Sequence, residues 1–202
     1  MSLKEAKFNF IVEIATNLFM QKSINDVTIK DIAEKAGVGE ATIYRYFSKK
    51  ESIIIACVMM LQNNVSKNYF NLQNGKTGYE KMELFYNSYL DIFKDSPDYF
   101  YFIKEFDAYM YTQHPSPLKT YEKEIDKYHQ NFLEAYELGL QDGSINPVKN
   151  VDVFYFSTTH SLIELCKKLS MSKALLTQDK TIKKVAEIQC LIKIILKSLR
   201  KD

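Results

Sequence analysis

The sequence predicts an all-α protein of about nine helices, with a small N-terminal three-helix module and a larger helical body behind it. Three observations carry this. Glycine and proline are scarce, at 6 and 4 of 202 residues. Turn-forming residues cluster at long intervals: Ile24-Asn25-Asp26, Gly37 to Gly39, Asn74 to Gly78, Ser96-Pro97, His114 to Pro117, Asp142-Gly143, Asn146-Pro147 and Leu176 to Gln178. Between these points apolar residues recur at three- and four-residue spacing, and no stretch sustains the alternation of a half-buried strand.

The first helix has an apolar stripe of Phe10, Ile11, Ile14, Ala15, Leu18 and Phe19. Two starts read as capping boxes, Thr28-x-x-Asp31 and Ser48-x-x-Glu51, each a hydroxyl with a carboxylate one turn on. The helices within 28–47 are too short to bury much alone and must lean on the first helix. This sets a module at 1–47 and a body at 48–202, joined through the helix that begins at Ser48. Ser96-Pro97 and Ser116-Pro117 place a capping serine before proline at the first helical position. Gly143 stops the helix that opens near Pro117. A helix over about 151–171 and a last one from Val185 to Leu199 complete the body.

Composition excludes several classes of function. The net charge is +2, so a nucleic-acid partner has to be met by a local patch. No apolar run approaches a membrane span. The opening MSLKEAKFNFIVEIA carries charges through its apolar part, unlike a secretion signal. Cys57, Cys166 and Cys190 are scattered, which suits reduced thiols in a cytoplasm. His114 and His129 read as loop and helix-surface residues, and no two histidines sit at i, i+4, so no metal site is expected. There is no phosphate-binding glycine loop, nucleophile elbow or motif-supported carboxylate pair, so neither catalytic residues nor a cofactor are expected.

The stretch TIKDIAEKAGVGEATIYRYF has helix-turn-helix spacing. Ile32 and Ala33 belong to its first helix, and Ala33 is small where two helices cross. Gly37 supplies the positive φ of the turn, and Val38 plugs it. Ile43 and Phe47 give the second helix its buried edge. Gly39, Glu40, Ala41, Thr42, Tyr44 and Arg45 remain toward the open face and the end that enters a major groove. Arginine forks onto guanine, and small Ala41 and Thr42 admit close approach to a thymine methyl. Tyr44 and Tyr46 offer hydroxyls to phosphates or base edges. Lys49 and Lys50 open the next helix, where charge and free N–H groups favour phosphate. Thr28 offers a similar contact at the other short helix, and Glu40 suits a cytosine amine.

Residues 7–54, with Ala15, Phe19, Thr28, Ile32-Ala33, Ala36-Gly37-Val38, Thr42-Ile43-Tyr44, Phe47 and Lys50-Glu51 in register, resemble the N-terminal DNA-binding domain of the tetracycline-repressor (TetR) family. The resemblance implies a homodimeric, all-helical regulator, usually a repressor released from DNA by a small molecule. Its recognition helix corresponds to Gly39–Tyr46, and its usual phosphate contacts to Thr28, Tyr44, Tyr46 and Lys50. Two positions depart from the family pattern. Ser23 stands where the first helix usually ends in glycine, leaving the turn to another residue such as Asn25. Tyr46 stands where histidine is common.

The body is crowded with aromatics at helical spacing, and a pocket there would be apolar with a few polar anchors. The candidates are Tyr89, Phe93, Phe102, Phe106, Tyr109, Met110, Phe132, Tyr136, Tyr155 and His160, with Glu105, Asp107 and Glu164 as charges for a cationic ligand. The last two helices look richer in apolar residues than one core requires. Leu162, Leu165, Cys166, Leu169, Val185, Ile188, Ile192, Ile195 and Leu199 are the expected faces of a symmetric four-helix contact between two copies. The expected function is a cytoplasmic transcriptional regulator that binds a near-palindromic double-stranded operator as a homodimer and is released by a small hydrophobic or aromatic effector. The rivals are a ligand-independent architectural or division-linked DNA-binding factor, and a helical small-molecule carrier that does not bind DNA.

Overall fold

A computed structural model describes residues 2–113, 118–171 and 181–201. Nine helices lie among them: α1 Leu3–Gln21, α2 Ile29–Lys35, α3 Glu40–Tyr46, α4 Lys50–Tyr69, α5 Gly78–Asp95, α6 Pro97–Gln113, α7 Lys119–Gln141, α8 Val151–Ser170 and α9 Lys184–Leu199. The expected Ser116-Pro117 helix start, His114 and the Leu176 to Gln178 turn lie outside the described residues.

The short helices form where the local chemistry asks for them. Thr28 and Asp31 close a reciprocal capping box on α2. Gly37 takes φ 65°, a conformation that costs a side-chain-bearing residue about 1–2 kcal/mol. Val38 N–H then donates to the Ala33 carbonyl at 3.0 Å, which fixes the angle of α3. Ile32, Ala33, Ile43 and Phe47 are buried, and the Phe47 ring stacks on Phe8 of α1 at 4.8 Å. On α1 the buried stripe is Ile11, Val12, Ala15, Thr16 and Phe19. Phe10, expected to be buried, is exposed with the Lys7 ammonium 5.6 Å from its ring centre.

Two turns differ from expectation. The box at Ser48 does not form: Lys49 is the N-cap residue of α4, and Ser48 Oγ pairs with Ser52 Oγ instead. The α1–α2 turn needs no left-handed residue, since among the described residues only Gly37 and Gly143 have positive φ. Lys50 Nζ donates to the Ile24 carbonyl, tying the turn to α4, while Ser23 Oγ donates to Glu105 at 2.6 Å. Asn25 stays exposed.

In the body, α5 is the axis and packs against α4, α6, α7, α8 and α9. Its first turn is sealed by Thr77 and Glu80 in a capping box and by the chain following α7: Gly78 N–H donates to Asp142 and Tyr79 N–H to Ser144. The chain end is pinned alongside, with Asn146 N–H donating to the Leu199 carbonyl.

The expected contact faces of α8 and α9 need correction. Leu162, Cys166, Leu169, Ile188, Ile192, Ile195 and Leu199 are buried in the chain's own core, and Leu165 and Val185 are partly buried against it. The three-four spacing marked the stripe that α5 covers. The apolar side chains left outward are Val153 and Phe156 on α8 and Ile194 on α9, with Ile182 just before α9.

Candidate functional site

Two places in the molecule gather chemistry, the open face of α3 and a cavity in the body. On α3, Ile43 faces the core, and this turns Glu40, Ala41, Tyr44 and Arg45 outward. Thr42 is half-buried and its N–H caps back onto Gly39. Gly39 precedes the helix in an extended conformation with no side chain over the first turn. The Arg45 guanidinium lies 5.6 Å from the centre of the Tyr46 ring. Arg45 and Tyr46 border a surface groove with Lys4, Glu5, Phe8 and Asn9 of α1. Lys4 and Asn9 of α1 bring an ammonium and an amide to this groove, and nothing in their sequence spacing ties them to α3.

Three expected phosphate contacts have structural partners. The Thr28 hydroxyl donates to Asp31 Oδ2 at 2.7 Å, and its hydrogen bonds hold the Asp31 carboxyl below the usual carboxylate range. Lys49 pairs with Glu51 at 2.5 Å. Lys50 spends one ammonium proton on Ile24, and burial lowers its pKa. Its role in the fold is thus as a clamp on the α1–α2 turn.

The body cavity has a volume of about 480 Å³ and is walled by α4 to α8. Its apolar walls include Val65, Phe70, Ile92, Phe100, Ile103, Ile125 and Ile163. Of the ten expected ligand residues, Tyr89, Tyr155 and His160 line it. The other seven do not. Phe93, Phe102, Phe106, Met110 and Phe132 fill the core. Tyr136 is buried and accepts a hydrogen bond from Val148 N–H. Tyr109 is half-buried, within the field of Glu51 and Lys49 at the start of α4.

Two further polar groups of the cavity, Gln62 and Lys167, come from residues that spacing alone does not single out. Gln62 is buried on α4 and bonds Tyr99 and Tyr128, each at 3.0 Å. A glutamine on the same helical face as Val58 and Val65 was the readable signal. Lys167 on α8 is held between Asp107 of α6 and Glu164 one turn before it. Burial lowers the Lys167 pKa, but these two carboxylates outweigh it and raise the net value, so the lysine stays charged. Glu105, the third expected carboxylate, accepts from Ser23 instead. Near the mouth, between α7 and α8, Tyr155 and Phe156 continue into a surface groove with His129, whose Nε2 meets Asp152 at 3.1 Å.

α6 belongs to both places. Tyr99, Phe100, Ile103 and Asp107 face the cavity. The same helix sets Phe102 against Phe19 of α1 at 6.2 Å and accepts the Ser23 hydroxyl on Glu105. Among the described residues no helix is long and apolar enough to cross a membrane, and no group of three metal-ligating side chains converges.

Residues 11–57 match the family of bacterial regulatory proteins, tetR family. An uncharacterized HTH-type transcriptional regulator of Bacillus subtilis, YvkB, is 39% identical over 54 residues, which is 27% of this chain and 29% of that relative. The chain spans less than a third of the length of the curated relatives it matches. Over the whole length the similarity is one of fold. The TetR family transcriptional regulator PfmR from Thermus thermophilus aligns with a TM-score of 0.70 at 16% identity, covering 95% of this chain and 99% of that one. The transcriptional regulator FadR from Bacillus subtilis, solved in complex with stearoyl-CoA, aligns with a TM-score of 0.66 at 18% identity, covering 95% and 98%.

Proposed function

We propose, from a chain whose residues 11–57 carry the tetR-family segment and whose helices take that fold along nearly their whole length, that the protein is an operator-binding transcriptional repressor released by a small apolar effector. It would act in the cytoplasm, where its DNA is. The observation that carries this reading is α6, one face of which walls the cavity while the other grips α1 of the head.

In this mechanism α3 enters the major groove with Ala41, Thr42, Tyr44 and Arg45 toward base edges and Tyr46 and Lys49 toward the backbone. Glu40 excludes phosphate from its own position and suits a cytosine amine. Two copies, meeting over the outward face of α8 and α9, set their α3 helices about 34–36 Å apart or somewhat more on a near-palindromic site. A molecule in the cavity displaces α6, and α6 carries the head with it. For release, the molecule must bind more tightly to the state whose heads are wrongly spaced, because equal affinity for both states shifts nothing. That a similarly folded protein was solved with stearoyl-CoA supports a ligand role for such a body.

The test is selection from a pool of random duplexes with the purified full-length protein. A near-palindromic sequence is expected to emerge. Its affinity should fall linearly with salt on a log–log plot, with a slope of about −0.9 per phosphate neutralised. A pool that stays random, with no salt-dependent binding, would leave the carrier reading in its place. Binding that no cavity ligand changes would favour the ligand-independent factor.

A further inference from the structure

We infer that the cavity is built for a neutral, largely apolar molecule carrying at least two oxygen acceptors, such as carbonyl, quinone or lactone oxygens, and not for a carboxylate or an organic cation. This deepens the effector reading above and rests on it only for the regulatory consequence.

The inference comes from counting hydrogen-bond donors. Tyr89 and Tyr155 line the cavity at 7% and 4% exposure, and neither hydroxyl has a partner among the described residues. No fully enclosed side-chain polar atom among the described residues lacks a partner, so neither hydroxyl is sealed off, and the cavity is the space that both residues line. The Gln62 group adds a third donor. Its amide bonds Tyr99 and Tyr128, and Tyr128 also reaches the Gln62 backbone carbonyl at 3.1 Å. In either orientation of the amide, an N–H or O–H proton is left over. A buried donor without a partner costs free energy that a ligand oxygen would recover.

Charge decides between ligand classes. Burial holds the tyrosines protonated: it pushes Tyr155 up to about 12 and Tyr89 well above the ordinary phenol value. They therefore donate as neutral groups. Lys167 brings one positive charge to the wall, bracketed by the two negative charges of Asp107 and Glu164. A ligand carboxylate would face that net negative cluster, and the described lining holds no other lysine or arginine to receive it. An organic cation fares no better in the interior. Both carboxylates already serve Lys167 and stand partly in solvent, with side-chain exposures of 48% and 70%. The buried wall then offers a cation neutral hydroxyls and aromatic faces but no free carboxylate, less than the water it gives up, and the trimethylammonium forms below test this.

The test is calorimetric titration of the full-length protein with two skeletons that each carry two oxygens, flavone and a long-chain γ-lactone. Each is used as the neutral compound, as a carboxylate and as a trimethylammonium derivative. At least one neutral skeleton is expected to bind about tenfold or more tighter than its charged forms. Tyr89→Phe and Tyr155→Phe should each weaken the flavone about three- to tenfold. Tyr86→Phe is the control for a lost hydroxyl that does not line the cavity, since Tyr86 is spent on Thr158 at 2.7 Å; it should leave the affinity unchanged. The assignment is overturned if neither neutral compound binds, if a charged form binds as tightly, or if both phenylalanine variants bind like the parent. If the neutral compounds bind as expected but leave DNA affinity unchanged, the cavity chemistry stands and the effector reading fails.

Discussion

Arg45→Ala is expected to flatten the protein's preference among operator sequences while leaving it folded and still bound to DNA. Arg45 is exposed on α3, and its one noted contact, over the Tyr46 ring, holds no core together. A guanidinium forked onto guanine O6 and N7 discriminates by about 1–3 kcal/mol at one base pair. Losing it should reduce discrimination at that position about five- to 150-fold in each half-site. Lys49→Ala should behave differently, weakening all sequences alike and lowering the salt slope by about two, one for each copy in the dimer. Competition between the selected duplex and its single-base variants reads both effects. Unchanged preference in Arg45→Ala would mean that other residues of α3 face the bases.

The largest loss of stability is expected from Gly78→Ala. Gly78 starts α5, and a Cβ there would lie 2.0 Å from the backbone nitrogen and 2.2 Å from the Cα of Gly139 on α7. No side-chain rotation relieves a clash with backbone, so the two helices would have to separate. Their separation would also stretch the Gly78–Asp142 and Tyr79–Ser144 hydrogen bonds. Overpacking usually costs about 1–3 kcal/mol, and the upper end applies to a backbone clash. The melting temperature of a chain of this size should fall by about 6–12 °C. The opposite sign is instructive: Gly78 lacks a positive φ, so were the space open, alanine would stabilise the helix by about 0.4–1 kcal/mol through the unfolded chain.

Gly78 also shows where the sequence was readable and where it was not. It reads as punctuation in Asn74 to Gly78, yet its reason is a close approach to a helix sixty residues away, which no local pattern encodes. Local signals fared better. The Gly37 turn, the Thr28 box and the buried Ile43 and Phe47 follow from short-range geometry, and the structure has them. The Thr77-x-x-Glu80 box was equally legible but hidden by the glycines around it. Spacing shows that an aromatic faces inward. It does not show whether the interior there is filled, as at Phe102 and Phe132, or hollow, as at Tyr89 and Tyr155. The seam from Ile188 to Leu199 has the same ambiguity, since a buried stripe does not name what buries it. Lys167 with Asp107 needed the fold, because sixty residues separate the pair.

The central claim is that the cavity and the α3 face are two ends of one equilibrium. Linkage makes this measurable: if a ligand weakens DNA binding by some factor, DNA must weaken ligand binding by the same factor. The direct measurement is the dissociation constant of a cavity ligand, here the neutral flavone, with and without saturating selected duplex. Coupling of about 1–3 kcal/mol, or roughly five- to 150-fold, is the expected size. The expected result is weaker ligand binding on DNA, by the factor that the ligand imposes on DNA affinity. A ligand affinity identical with and without the duplex would contradict it.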